Sequence, residues 1–367
     1  MKQAKKWLFY LAVLPFFVAI GMLAGYTSSS YVMNNTTPFG KFVFLAAMLL
    51  IMVISLWIHT IFHELGHLLF GKLSGYRFCS FRIGSLVLVH SNETWHLRRH
   101  RIPGTAGQCL MGMPDGERFP YVWYNLGGIL VNVFLSLTAL IPAAVFHNTV
   151  QIVFPCGMFA IIGLLLAVTN ALPFSAANDG CNLRSMRRSD IERKAFRSQL
   201  LINEQMTAGV SLSDMPDEWF AFPDDTDWSA PLCAGMAGFI ADRMMVRGHL
   251  EEARTLCADW LTKWPDMPPV AEMNLRENLV LCEWATNGPT AEAEKWQTKT
   301  FRSYIKSAKT PGALLIAGIR ERLDSADEKR AKAYTDQFEK VCRAYLYPET
   351  IATLRSLQKQ IGDRLTH

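Results

Sequence analysis

Trp57-Ile58-His59-Thr60-Ile61-Phe62-His63-Glu64-Leu65-Gly66-His67-Leu68-Leu69-Phe70 sets the pattern His-Glu-x-x-His inside an apolar run that begins at Phe42. Residues four apart on a helix share one face, so His63 and His67 can close on a single metal ion. Glu64, next to the first of them, is placed to serve as a general base toward water at that ion. Zinc takes few, firm N, S or O ligands and keeps an open position when catalytic, so Zn2+ is the expected ion. A bare match of this kind also arises by chance in helices. The surroundings weigh against chance here, because ionisable groups within hydrocarbon are costly and are functional candidates by default.

Around this stretch the 367 residues are 50% hydrophobic, with a mean hydropathy of +0.12. The apolar content is concentrated in residues 7–174 and the remainder is mixed and charged, which predicts a membrane domain followed by a soluble one. The formal charge of +5 is modest and gives nucleic-acid binding little support. The eight cysteines include no CxxC pair, which argues against a disulfide framework and a thiolate zinc site and suits a reducing cytoplasm.

Four spans are expected, at about 7–25, 42–70, 121–145 and 150–172. Lys2, Lys5 and Lys6 precede the first, and no small-x-small cleavage site follows it, so it reads as an uncleaved span rather than a signal peptide. Thr27–Gly40 holds no Lys or Arg, whereas Lys72–Pro120 holds Lys72, Arg77, Arg82, Arg98, Arg99, Arg101 and Arg118. The positive-inside rule then puts both termini in the cytoplasm of a cell, taken to be bacterial. His63 falls ~32 Å along the second span from Lys41, toward its cytoplasmic end. Loose alternation over residues 76–104 predicts a β-hairpin at the cytoplasmic membrane surface, broken by Pro103-Gly104-Thr105-Ala106-Gly107-Gln108. Its edge can receive an extended peptide; equally, the segment can be a basic loop resting on anionic lipid. His90, His96 and His100 read as loop residues and not as ligands.

Gly127 and Gly128 in the third span suit close helix approach, and Asn132 is expected to face the bundle. The fourth span ends in Asn170-Ala171-Leu172-Pro173 and then Asn178-Asp179-Gly180, on the same membrane face as His63 and His67. Asp179 can therefore supply a third ligand, although Asn-Asp-Gly also suits a simple turn.

His63-Glu64-Leu65-Gly66-His67, Gly127-Gly128-x-x-x-Asn132 and Asn170-x-x-Pro173 followed by Asp179-Gly180 together resemble the site-2 protease family of intramembrane zinc metalloproteases, in the family's order and over roughly residues 42–190. The resemblance implies a three-helix catalytic core in the membrane and hydrolysis of peptide bonds in membrane-anchored substrates. It implies His63, His67 and Asp179 as zinc ligands, Glu64 as the base, and Asn132 and Asn170 as substrate-positioning or oxyanion-stabilising residues. Two departures stand out. Asn178 occupies a position where an apolar residue is commoner, and no PDZ-like or CBS-like segment is present.

Residues 191–231 read as a linker and loop, and residues 232–367 as a cytoplasmic helical-repeat-like domain. Helical patterns over Cys233–Val246, Leu250–Lys263, Val270–Thr286, Ala291–Ser307, Leu314–Leu323 and Ala326–Ala344 suggest TPR-like hairpins offering a concave surface to a protein partner, or a plain helical bundle. The expected fold is thus an all-α polytopic membrane protein with a small surface hairpin and a soluble helical domain. The expected partners are the lipid bilayer, a membrane-anchored protein or peptide substrate and a possible protein partner on the helical domain. The alternative is a catalytically silent, membrane-anchored helical-repeat scaffold.

Overall fold

The computed structural model describes residues 2–32, 37–91, 93–99, 105–116, 118–173, 178–325 and 327–365; His100 and the Pro103-Gly104 break lie outside them. Two compact units emerge. The first comprises Met1–Arg77, Ala106–Cys109 and Pro114–Arg184, and the second Phe78–Thr105, Leu110–Met113 and Ser185–His367.

In the first unit, helices α1 (Lys2–Val32), α2 (Pro38–Leu73), α3 (Tyr121–Val145) and α4 (Val150–Ala171) lead to α5 (Asp179–Arg188). Among the described residues, four segments are long and apolar enough to cross a membrane: Phe9–Thr27, Pro38–Leu73, Tyr121–Val145 and Val150–Ala171. The boundaries of α2 follow from local chemistry. Thr37 caps it by accepting from the Gly40 N–H, with Pro38 in the first turn where a missing N–H costs nothing. Gly75 ends it at φ +88°, while the Tyr76 and Gly75 N–H groups return to the carbonyls of Gly71 and Lys72.

Polarity in this unit is inverted relative to a soluble bundle. Helix α3 buries Gly127, Gly128, Asn132 and Ser136 and exposes Phe134, Leu137 and Ile141. Large apolar side chains left in the open on long helices suit a hydrocarbon surround, where small residues mediate helix contact. The paired glycines do bring helices close. A Cβ on Gly66 of α2 would fall 2.4 Å from the Gly127 carbonyl oxygen of α3, and a Cβ on Gly127 the same distance from Gly66 O.

The chain contains more β-structure than a hairpin. Strands β1 (Arg77–Ile83), β2 (Leu86–Ser91), β3 (Thr94–Arg99) and β4 (Gly107–Gly112) form one four-stranded sheet in the order β3-β2-β1-β4. The antiparallel register places Phe81 opposite Leu88 and Leu88 opposite Leu97, with Gly84 at φ +61° in the first tight turn. The expected break at Gly107-Gln108 is therefore the start of a strand. Arg82, counted above among the basic loop residues, is buried and donates to Gly84 O and to Thr105.

The expected linker over residues 191–231 is corrected in its first half. Helix α6 (Asp190–Thr207) is capped by Ser189, which accepts from the Glu192 N–H, and buries Ala195, Leu200 and Ile202. Its apolar residues recur with helical spacing, a signal that the nearby charges obscured. Beyond it, Leu212, Met215, Phe220 and Trp228 are buried along a stretch with two short 3-10 turns, Leu212–Asp214 and Asp217–Trp219. Helices α7 (Pro231–Val246), α8 (Leu250–Lys263) and α9 (Pro269–Asn287) fall where expected. The span 291–307 is instead two helices, α10 (Ala291–Trp296) and α11 (Lys299–Ser307), because Thr298 starts a new helix by accepting from the Phe301 N–H. Helices α12 (Pro311–Arg320), α13 (Glu328–Cys342) and an unforeseen α14 (Pro348–Leu365) complete the unit around Trp284, Phe301, Phe338 and Leu357.

A cavity of about 490 Å³ in this unit is lined by Phe239, Met273 and Tyr304 and by three acids, Asp242, Glu277 and Glu349. Burial pushes the Glu277 carboxyl up to about 7, against hydrogen bonds from Tyr304 (2.8 Å) and Thr310 (3.2 Å). Burial likewise pushes Asp242 up to about 6, against the 2.7 Å bond from Asn278.

Two predictions follow from this packing. Gly66→Ala should lose ~1–3 kcal/mol by overpacking a backbone contact, seen as a lower Tm in detergent, whereas Gly21→Ala, with nothing within 4 Å of its Cβ, should leave Tm unchanged. Glu277 binds its proton more tightly folded than unfolded, so its contribution to stability is present below the unfolded carboxylate value and lost as pH rises through about 7. Circular-dichroism melts of Glu277→Gln should therefore fall less between pH 5 and 8 than those of the unaltered chain.

Candidate metal site

Helix α2 carries His63 and His67 one turn apart, and both are buried. The Nε2 atoms of the two rings lie 3.2 Å apart, and Asp179 Oδ2 lies 3.2 Å from that of His63 and 3.5 Å from that of His67. These atoms form a nearly equilateral triangle. A tetrahedral ion with bonds of ~2.0–2.1 Å separates its ligands by ~3.3–3.4 Å, so the triangle has the dimensions of one face of such a site. The cluster can thus hold a metal ion.

The hydrogen bonding supports this use. His67 Nδ1 lies 2.7 Å from the carbonyl oxygen of Tyr124, which can only accept, so in the neutral ring Nδ1 carries the hydrogen and Nε2 keeps its lone pair. Asp179 Oδ2 is buried, and its contacts with the two imidazoles lack hydrogen-bond geometry. An anion and imidazole nitrogens converge on a space that a cation would satisfy.

Asn178-Asp179-Gly180 divides the work of placing this carboxylate. Asn178 donates to Thr169 O (2.8 Å) and Leu172 O (2.7 Å) at the end of α4 and accepts from the Cys181 N–H (2.8 Å) at the start of α5. The residue that departs from the family pattern is therefore a clamp between two helix ends. Gly180 is required by space, since a Cβ there would fall 1.9 Å from Ala171 O.

Glu64 is buried and lies against β4. A Cβ on Gly107 would sit 2.6 Å from Glu64 Cγ, and the backbone of Cys109 hydrogen-bonds to the carboxylate. Tyr124 ties the same strand to the ligand helix, donating its hydroxyl to Cys109 O at 2.8 Å while its carbonyl receives His67.

The other two sequence candidates fall elsewhere. Asn132 is fully buried, with its amide held between His63 and His59. Asn170 turns back into its own helix and donates to Leu166 O at 2.9 Å. His59, Tyr124 and Gly107 were not singled out in the sequence, and Asn178 only as a departure from the family pattern. For His59 a signal existed: it lies one turn before His63 on the same helix face.

No family model, curated protein or solved structure matches the chain.

Asn178→Ala removes a helix cap and should cost ~1 kcal/mol of stability. Because it also frees Asp179, chelator competition should show metal binding weakened by ~10–100-fold. Unchanged affinity would mean that the clamp does not position the carboxylate.

Proposed function

We propose that the chain is an intramembrane zinc metalloprotease of the site-2 type, hydrolysing a peptide bond in or near the transmembrane segment of a membrane-anchored regulator or peptide precursor. The observation that carries this reading is the triangle of His63, His67 and Asp179 on membrane-type helices, with a buried carboxylate from Glu64 beside it. Two imidazoles and one carboxylate leave a fourth tetrahedral position open, the donor set of a catalytic rather than structural zinc. A bound zinc ion supplies Lewis acidity toward a peptide carbonyl and makes water acidic enough to ionise near neutral pH.

The chain's own groups supply the rest. Glu64 takes the proton of the attacking water and returns it to the leaving nitrogen as the peptide bond breaks. Its carboxylate is held for this by the Cys109 backbone and by the space that Gly107 leaves. A helical substrate has its carbonyls tied up and must be unwound before attack. Strand β4, at an edge of the sheet and against Glu64, suits that task, because strand addition takes up the opened backbone without requiring one sequence. Under the positive-inside rule the site opens toward the cytoplasm, and the helical domain, read as TPR-like, offers its surface to a protein partner there.

Metal analysis of the purified chain should find near one zinc per molecule, lost in His67→Ala. A folded, metal-free protein would instead favour the silent scaffold. Glu64→Gln should retain zinc and lose ~10²-fold or more of the cleavage rate against a co-expressed membrane-anchored substrate. Full activity in that variant would remove Glu64 from its role.

A further inference from the structure

His59 is the one imidazole of α2 outside the ligand set, and it is completely buried. Its Nε2 lies 3.0 Å from the carbonyl oxygen of Phe159 on α4. That oxygen only accepts, so in the neutral ring Nε2 carries the hydrogen and Nδ1 is a lone pair. Nδ1 lies 3.2 Å from Asn132 Oδ1, and Asn132 Nδ2 lies 3.3 Å from Nδ1 of His63.

The amide can stand either way round with its two ends in the same places. With the oxygen toward His59, two acceptors face each other. The NH2 group then donates to His63 Nδ1, which leaves the hydrogen of His63 on Nε2, pointing into the cluster. With the NH2 group toward His59, every group is satisfied. Asn132 donates to His59 Nδ1, its oxygen accepts from the His63 Nδ1–H, and the Nε2 lone pair of His63 faces His67 and Asp179.

The three helices are shaped around this chain of contacts. A Cβ on Gly163 would lie 2.1 Å from Cε1 of His59, and one on Gly128 would lie 2.6 Å from Nδ1 of His63. Ser136 donates to Asn132 O at 2.7 Å, fixing the turn that presents the amide.

We propose that His59 and Asn132 are positioning residues: the sequence Phe159 carbonyl, His59, Asn132, His63 fixes the hydrogen of His63 on Nδ1 and so holds its Nε2 ready as a metal ligand. This rests on the metal-centre reading above. It assigns Asn132 a place behind the metal ligand, where the family resemblance implied contact with substrate. It also accounts for a third imidazole in the middle of a spanning helix.

The test is metal affinity of the full-length chain in detergent, by chelator competition with Zn2+, together with the visible spectrum of the Co2+-loaded protein. His59→Leu and Asn132→Leu should weaken binding by ~10–100-fold and alter the cobalt bands. Asn132→Asp keeps an acceptor for His63 and should stay within about threefold of the unaltered chain, with its spectrum restored. Where leucine prevents folding, Asn132→Ser, whose shorter side chain does not reach His63, takes its place with the same expected loss. Leucine or serine variants that match the unaltered protein, or an aspartate variant as weak as they are, overturn the proposal while leaving the metal centre standing. An unaltered chain that binds neither ion sinks the metal-centre reading first, and this proposal with it.

Discussion

The structure depends on bringing a carboxylate against two imidazoles where water is scarce. The Asp179 oxygen and the two Nε2 atoms lie 3.2–3.5 Å from one another, all offering lone pairs once the Nδ1 hydrogens are committed behind them. Unpaired polar groups at such a place are expensive, and a bound cation is the partner that satisfies all three at once. Much of the first unit reads as the means of sustaining this arrangement. Gly66 and Gly127 let α2 and α3 touch, Gly180 lets α5 start against the end of α4, and Gly128 leaves room for the His63 ring.

The three residues of the cluster also have different kinds of support. His67 is held from the backbone of α3 through Tyr124, Asp179 through the Asn178 clamp on α4, and His63 through a side-chain amide. The His67 support is a backbone carbonyl and survives most substitutions, whereas the supports of Asp179 and His63 pass through the side chains of Asn178 and Asn132. Tyr124 adds a second coupling, because one residue both orients His67 and receives strand β4, which lies over Glu64. His67 and the strand beside Glu64 are thus referenced to the same helix.

The second unit follows soluble-protein rules in its core, with Trp284, Phe301 and Phe338 buried and the buried Arg243 and Glu283 each meeting an opposite charge. Its exceptions are Asp242 and Glu277, two acids without a basic partner among the described residues, in a cavity otherwise largely apolar. Their raised carboxyl values are the direct cost of that burial.

Periodicity and chemistry confined to one segment were legible in the chain itself. The four long apolar helices, the ends of α3 and α4, and the placing of His63, Glu64 and His67 on one helix follow from runs of side chains whose neighbours are local in sequence. Asp179 could be proposed as a ligand, because membrane topology alone put it on the right face. Other features needed the tertiary structure, since each rests on groups far apart in the chain. Helix α6 was hidden by charges that its own burial pattern outweighs. The hairpin grew into a four-stranded sheet because β4 pairs only once the chain returns. The uses of Asn178 and Asn132 could not be read locally, because a side-chain amide acquires its role from what folding sets at its two ends. For Asn178 those are the termini of two helices, and for Asn132 they are two imidazoles.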